Sequence, residues 1–436
     1  MNALSAPADA RGVALAVLLQ CQRKDAFVQV ALDQHLTQTP LAGPDRRLAT
    51  QLVYGVLRRR GTLDALLRPL VHREPHKVEP WLWEALRLGA YQLLLLTHIP
   101  AHAALFETVE LAARRGQPRS KGFLNGVLRS LAALPTAEAA SNPAADALPL
   151  ENGQYRRLSR ASLPDPAKNP VEYLSAGFAW PPWLAQRWHA RYGWDECVRL
   201  GFWFAGPAPV WLRCNPLRTN RAGLLQKLHV AGIGAEPGEH LQAIRLVDWA
   251  PVRDLPGYLE GLFVVQDESA MAAASALAPQ PGMSVLDLGA APGGKATHLA
   301  ELMRNQGRVV ACDRDAIRLQ HVVETSRRLG LSIIETSATE EPPPGPFDAV
   351  LVDVPCSNTG VLGRRPEVRW RLRPGDWPHL VRLQTKMLLQ ACERVRPGGA
   401  VVYSTCSIEP EENQQVVRNV LTAMRGFDVE SEGDRI

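Results

Sequence analysis

Between residues 284 and 424, short apolar runs alternate with helix-length segments, and few folds accommodate that order. Ser284–Leu288, Arg308–Cys312, Ser332–Glu335, Asp348–Asp353 and Ala400–Thr405 read as strands. A helix through Leu302, and helices over Ile317–Gly330, His379–Val395 and Glu411–Met424, separate or follow them. Strands linked by crossover helices form a parallel, doubly wound α/β sheet. Its ligands lie beyond the carboxyl ends of the strands, where the strand order reverses, so chemistry is expected in the loops that follow the strands.

The first such loop is Asp287-Leu-Gly-Ala-Ala-Pro-Gly-Gly-Lys295. Gly289, Gly293 and Gly294 allow a ligand to approach the backbone closely. Ala290, Ala291, Pro292 and Lys295 complete a loop that matches neither the dinucleotide pattern G-x-G-x-x-G nor the triphosphate pattern G-x-x-x-x-G-K-[ST]. Asp313 ends the second strand, 19 residues past Gly294. A carboxylate there accepts hydrogen bonds from a ribose diol; its alternative is to cap the next helix. Loop and acid together indicate an adenosine-bearing cofactor, and S-adenosylmethionine fits them better than NAD.

The fourth strand runs into DAVLVDVPCSNTG and the fifth into AVVYSTCSIEPEEN. These strands are neighbours in the doubly wound order, so Cys356 and Cys406 are expected to face one crevice, with Asp353 three residues before Cys356. Enzymes of this fold that methylate nitrogen carry D/N-P-P-Y/F at this place; a thiol there suits an unreactive carbon. Cytosine carbon-5 becomes nucleophilic only after a thiolate adds to carbon-6. An acid at the ring and a base for the carbon-5 proton complete that chemistry. A lone cysteine is more often a small buried hydrophobe, but two at strand ends beside a cofactor loop favour catalysis. Spacing alone does not say which of the two attacks.

The first 130 or so residues read as helices only, with Trp81–Leu96 bounded by Pro80 and Pro100 as a buried helix. Residues 136–169, rich in Pro, Ala, Ser, Asn and Asp, read as a flexible linker. Residues 170–260 mix a helix at Trp183–Tyr192, a strand at Val210–Asn215 and a helix at Arg221–Ala231. The expected organisation is an all-α domain at 1–135, that linker, a small α+β domain at 170–260 and an α/β Rossmann-like domain at 261–436.

Charge follows the same division. Through Pro135 there are 17 Lys and Arg against 10 Asp and Glu, although the whole chain carries only +5. A polyanion docking on the helical domain accounts for that surplus, as does a solvated Arg-rich surface. No apolar run reaches the ~18 residues of a membrane span. The seven cysteines are scattered without a CxxC pair, which supports neither a zinc ribbon nor a disulfide framework. A reducing, cytoplasmic setting and a monomer are expected, with no metal.

With these residues assembled, the chain resembles the bacterial RsmB (Sun/Fmu) family of ribosomal RNA cytosine-5 methyltransferases over nearly its whole length. VVQDESA (Val264–Ala270), DLGAAPGGK, DVPCSNTG and YSTCSIEPEEN match in order. LRCNPLRTNR and DLPGYLEG mark the intermediate domain, and IPAHAALFETVELAARR with GFLNGVLRSL make residues 1–135 similar to the RNA-binding fold of the NusB antitermination factor. The resemblance implies that Cys406 attacks carbon-6, Cys356 assists breakdown of the adduct, and Asp353 hydrogen-bonds the cytosine. It further implies that Gly289–Lys295, Asp313 and Asp353 hold S-adenosylmethionine, with small-subunit (16S) ribosomal RNA as substrate. Where the family has an acid near the adenine, ETSAT here places Ser337. Phe427–Glu430 is expected as a sixth strand with no seventh before Ile436, leaving an unpaired edge beside the Cys406 strand.

Two other readings stand beside this one: an RNA-binding assembly or antitermination factor with a degenerate catalytic domain, and DNA-type cytosine methylation with Cys356 attacking. Among the remaining residues, Arg364, Arg365 and Arg369 are candidates for RNA phosphates, and Trp370 and Trp377 for base stacking. His98, His102 and His298 show no metal spacing, and Glu411 and Glu412 are expected to favour a helix dipole.

Overall fold

The computed structural model describes residues 9–22, 27–248 and 250–433. Two compact units emerge: Met1–Ala208 with Val361–Leu372, and Pro209–Gly360 with Arg373–Ile436.

The first unit opens with α1 (Ala10–Gln20), α2 (Val28–Gln38), α3 (Gly43–Leu67), α4 (Pro80–Leu95), α5 (Ala101–Arg114) and α6 (Lys121–Ala132). Asp9 caps α1 by accepting from the Gly12 N–H at 2.8 Å. Pro80 starts α4, whose residues from Trp81 to Ala90 are all buried. Among them Arg87 is neutralised by Asp64 at 2.7 Å and by Glu84 at 2.5 Å, as a buried charge requires.

The stretch expected as a flexible linker is folded. Strands β1 (Pro135–Ala140), β2 (Ala147–Pro149) and β3 (Tyr155–Leu158) form an antiparallel sheet in the order β1-β3-β2. Ala140, Ala147 and Tyr155 bury themselves against Phe202, while Arg156 donates to the Leu94 carbonyl at 3.0 Å. These apolar residues lie in pieces of three to six residues, too short to display a period. Helices α7 (Pro170–Phe178) and α8 (Pro182–Ala205) follow. The helix expected at Trp183–Tyr192 continues to Ala205 across a kink at Gly193, whose φ of 76° a residue with a side chain rarely adopts.

The second unit carries two sheets. The smaller one is antiparallel, with β4 (Val210–Cys214), β5 (Ala235–Pro237), β6 (Ala243–Leu246) and β7 (Phe263–Val265) in the order β5-β6-β4-β7. Helix α9 (Arg221–Val230) contributes Leu224 and Leu228 to its core. After α10 (Glu268–Ala276) come β8 (Ser284–Leu288), α11 (Gly294–Leu302), β9 (Arg308–Asp313), α12 (Ala316–Leu329), β10 (Ile334–Ala338) and β11 (Phe347–Asp353). The four-residue α13 (Val368–Arg371) belongs to the first unit; α14 (Trp377–Arg394), β12 (Val395–Ser404) and α15 (Gln414–Ala423) return to the second.

The larger sheet is parallel in the order β10-β9-β8-β11-β12. From β8 the chain first builds outward through β9 and β10, then returns to place β11 on the other side. The reversal lies between β8 and β11, where a doubly wound sheet binds its ligands. The expected sixth strand is not formed. Phe427 is half-buried, but Asp428, Val429 and Glu430 are exposed and extend no ladder, so β12 is an edge strand among the described residues. Two acids in four residues, with a single residue reaching the core, leave that segment no face to bury.

Candidate active site

At the reversal point the glycine loop is held by its own backbone. Gly289 and Ala290 donate to the Cys312 carbonyl at 2.9 and 3.1 Å, which draws the end of β8 toward the end of β9. Gly289 has φ 76°, and a Cβ there would stand 2.2 Å from the Asp353 carbonyl oxygen. Only glycine fits where β8 and β11 close on one another. Gly293 precedes α11 with φ 106°, so backbone N–H groups at the helix start are left without a side-chain cap. Pro292 is exposed, whereas Ala290 and Ala291 are buried.

Asp313 both organises the loop and retains acceptor capacity. Its Oδ2 accepts from the Ala291 N–H at 3.1 Å and its Oδ1 from the Asp315 N–H at 3.0 Å. Each oxygen keeps a lone pair for a further donor. The capping role weighed for Asp313 belongs instead to Asp315, which accepts from the Ile317 and Arg318 N–H groups at 3.0 Å. Ser337 lies half-buried one residue from the end of β10, in register with Cys312.

Behind the loop lies Asp287, which sequence reasoning quoted but gave no role. It is fully buried, and neither carboxylate oxygen has a hydrogen-bond partner among the described residues. Burial first, and then the charge of Asp353, push its pKa well above the usual carboxylate range. An unpaired buried carboxylate is costly and calls for a cationic partner. Lys295 is committed elsewhere: its ammonium donates to Asp353 Oδ2 at 2.7 Å. Burial opposes the Lys295 charge, but Asp353 outweighs it and raises the ammonium's pKa.

The two strand-end thiols are together. Asp353 is in register with Ser404 across β11 and β12, and the loops that follow bring Cys356 Sγ and Cys406 Sγ to 3.0 Å. Neither is in a disulfide. The Cys406 thiol also stands 3.2 Å from Asn358 Oδ1 and lies within electrostatic reach of Lys295. Cys406 is partly accessible, while Cys356 is only 8% exposed. The hydrogen bond to Cys406, then burial, drives the Cys356 thiol well above the ordinary thiol range.

Other candidates lie elsewhere. Arg369 is fully buried and donates to the carbonyls of Arg58, Phe178, Phe204 and Leu362 at 3.1–3.3 Å, so it is spent within the first unit. Trp370 donates to the Leu57 carbonyl at 3.2 Å, and Trp377 is buried. Arg365 is exposed and Arg364 half-buried. His298 is buried and bonded to Gln242 at 2.8 Å, whereas His98 and His102 are exposed. No group of three or more metal-ligating side chains occurs among the described residues.

Comparison with known proteins accounts for this arrangement. A family model described as 16S rRNA methyltransferase RsmB/F matches residues 274–432, the NusB family matches 8–133, and a ferredoxin-like domain of RsmF/B-like methyltransferases matches 180–253. A probable ribosomal RNA small subunit methyltransferase B of Synechocystis sp. is 37% identical over 94% of this chain and 89% of its own. The chain belongs to the RsmB/F methyltransferase family. A Bacillus subtilis protein carrying the same description is 33% identical over 96% of this chain and 89% of its own. The crystal structure of PH0851 aligns over 98% of this chain and 92% of that one, at 26% identity and a TM-score of 0.76.

Membership makes S-adenosylmethionine the cofactor, and the site suits it. A glycine cradle, a strand-end acid with spare acceptor capacity and an orphaned buried carboxylate match a ligand that carries a ribose diol and two positive centres. Helices α1–α6 form the NusB-like domain of the family. The ferredoxin-like match takes in all of α8, α9 and β4–β6. Among the described residues no helix is long and apolar enough to cross a membrane.

Proposed function

We propose that this member of the RsmB/F family methylates carbon-5 of a cytidine in small-subunit ribosomal RNA through a cysteine–cytosine adduct, with Cys406 as nucleophile. The observation that carries the reading is the 3.0 Å pair of thiols beyond two neighbouring strands, beside Asp353 and the cofactor loop. S-adenosylmethionine supplies, when bound, an electrophilic methyl group on a positively charged sulfur. Gly289–Lys295, Asp313 and Ser337 would hold it, and Asp287 would supply a counter-charge for its cationic part.

The residues of this chain divide the remaining work. Cys406, the more accessible thiol and the one near Lys295, adds to carbon-6 and leaves carbon-5 electron-rich. Asp353, oriented by Lys295, accepts a hydrogen bond from the amino edge of the ring, and the Lys295 ammonium beside it offsets part of the negative charge that addition creates. After methyl transfer a base removes the carbon-5 proton, the carbon–hydrogen pair becomes the carbon-5–carbon-6 double bond, and the carbon–sulfur bond breaks with its pair leaving on Cys406 as thiolate. Cys356, whose raised pKa keeps its proton on sulfur, supports that release. The target base must leave its stack to reach two loops at the end of a sheet. The basic surplus of the NusB-like domain supports docking of the RNA backbone there.

A denaturing-gel assay with labelled 16S RNA and S-adenosylmethionine tests this reading. The Cys356→Ala variant is expected to accumulate a denaturant-resistant RNA adduct, and Cys406→Ala to form none. The reverse pattern would assign attack to Cys356. Tight RNA binding without methyl transfer by the unaltered protein would replace the reading with that of an assembly factor.

A further inference from the structure

The serine that follows each thiol is tied to one buried carboxylate. Glu412 is fully buried, and among the described residues it is held by neutral donors. Its Oε1 accepts from the Ser357 N–H at 2.8 Å and from Gln384 Nε2 at 2.9 Å. Its Oε2 accepts from the Ser407 hydroxyl at 2.5 Å and from the Ser357 hydroxyl. The two hydroxyls also meet at 3.0 Å, and the Glu412 carbonyl is fixed by the Tyr403 hydroxyl at 2.6 Å. On the other side of the clamp, Gln384 donates to the carbonyl of Pro355, the residue before Cys356, at 3.0 Å.

Ser357 adjoins Cys356 and Ser407 adjoins Cys406, so one side chain grips both cysteine loops from beneath. A carboxylate taken out of water without a counter-charge is expensive, and neutral hydrogen bonds offset only part of that cost. Apolar packing would close two loops at less cost, but it would not fix their separation to a fraction of an ångström. Hydrogen bonds do, because they tolerate little change in length.

We propose that Glu412 is a positioning residue that sets the distance between the Cys356 and Cys406 thiols by holding the serine next to each. The inference rests on the reading of these thiols as the reacting groups. Glu412 touches neither the RNA base nor the cofactor in this role; it acts through Ser357 and Ser407. Shortening it by one methylene leaves it able to reach only one loop at a time. A glutamine of the same length keeps the clamp: its amide oxygen accepts from the Ser357 N–H and Gln384, and its amide nitrogen donates to the two hydroxyls, which rotate to accept.

The distance can be read without the methylation reaction. Hydrogen peroxide oxidises two adjacent thiols to a disulfide, its own two oxygens leaving as two waters, and the rate depends on how often the sulfurs meet. Closure of the Cys356–Cys406 disulfide, followed by peptide mass spectrometry on the full chain, is expected to be roughly tenfold or more slower in Glu412→Asp and in Ser407→Ala. Glu412→Gln is expected to close at close to the unaltered rate. Alkylation of Cys406 by iodoacetamide, which needs one thiol only, is expected to stay unchanged in all three.

Wild-type closure rates in both Glu412→Asp and Ser407→Ala would overturn the proposal, as would a loss in Glu412→Gln equal to that in Glu412→Asp. A single-turnover methylation rate that falls in parallel with closure, while KM for RNA holds, would support it. Were Cys406→Ala to retain methyl transfer, the reading of the thiols would fall, and the closure rates would still decide whether Glu412 sets their spacing.

Discussion

Lys295 Nζ stands 2.7 Å from Asp353 Oδ2, joining the helix that follows the cofactor loop to the strand that leads to Cys356. The pair is largely shielded, with the lysine side chain 15% exposed and the aspartate 31%. It ties the start of α11, next to the glycine loop, to Asp353 at the end of β11. Lys295→Met removes the cation from a site that also contains Asp287. Asp353 then loses its orienting donor, and we expect kcat to fall about 10–100-fold with a much smaller change in KM for RNA. Stopped turnover assays with both substrates saturating check this. An unchanged kcat would show that Asp353 needs no orienting partner.

A second prediction concerns the carboxylate behind the loop. Asp287 is raised by burial, then by Asp353, against a smaller opposing effect of Lys295. An acid whose folded pKa exceeds its unfolded value of about 3.9 costs no stability below that value and progressively more as pH rises toward the folded pKa. The cofactor-free Asp287→Asn variant should therefore gain thermal stability relative to the unaltered protein as pH rises from 4 to 8. A cationic ligand reverses the balance by pairing with the ionised carboxylate. The same variant should bind S-adenosylmethionine about 10–100-fold more weakly, the worth of one charge-assisted hydrogen bond. Calorimetry in buffers of different ionisation enthalpy should detect proton release on cofactor binding by the unaltered protein, and none by the variant. Equal affinities would remove Asp287 from the cofactor site.

How much of this was legible in the sequence depends on the range of the interactions. The parallel sheet was readable because each of its strands announces itself within five to ten residues, and the loops at Gly289–Lys295, Cys356 and Cys406 follow directly. The strands at 135–158 were not, since Ala140, Ala147 and Tyr155 only form a core once Phe202 arrives from α8. Arg369 looks like a surface arginine beside Arg364 and Arg365, and only the carbonyls left open at the ends of α7 and α8 explain its burial. Glu412 sits in an acidic run that suits a helix start. Its partner Ser357 lies 55 residues away, and no local pattern links them. The sequence signal nearest to the clamp is the shared Cys-Ser pair at 356–357 and 406–407, which marks two like places but not what joins them.

The last prediction tests how the small antiparallel sheet supports the cofactor loop. Arg213 of β4 and Glu301 of α11 form a fully buried fork, with Nε and Nη2 each 2.9 Å from a carboxylate oxygen. The guanidinium also donates to the Gly294 carbonyl at 2.7 Å and to the Thr297 hydroxyl at 3.0 Å, both in the first turn of α11. Removing one member of a buried pair leaves the other charge uncompensated, so Arg213→Met should cost about 3–5 kcal/mol. Burial already raises the Glu301 pKa against the pull of Arg213, and loss of that cation raises it further. The deficit is then smallest near the unfolded pKa of about 4.3 and grows as pH rises, because the unfolded chain ionises Glu301 freely while the folded chain does not. Urea unfolding at pH 5 and pH 8 measures both values. Replacing the pair together, as Arg213→Met with Glu301→Leu, should recover much of the stability while leaving S-adenosylmethionine affinity impaired, since the tether from β4 to Gly294 is still missing. Full recovery of affinity in the double variant would show that Arg213 serves the fold alone and has no part in holding the loop.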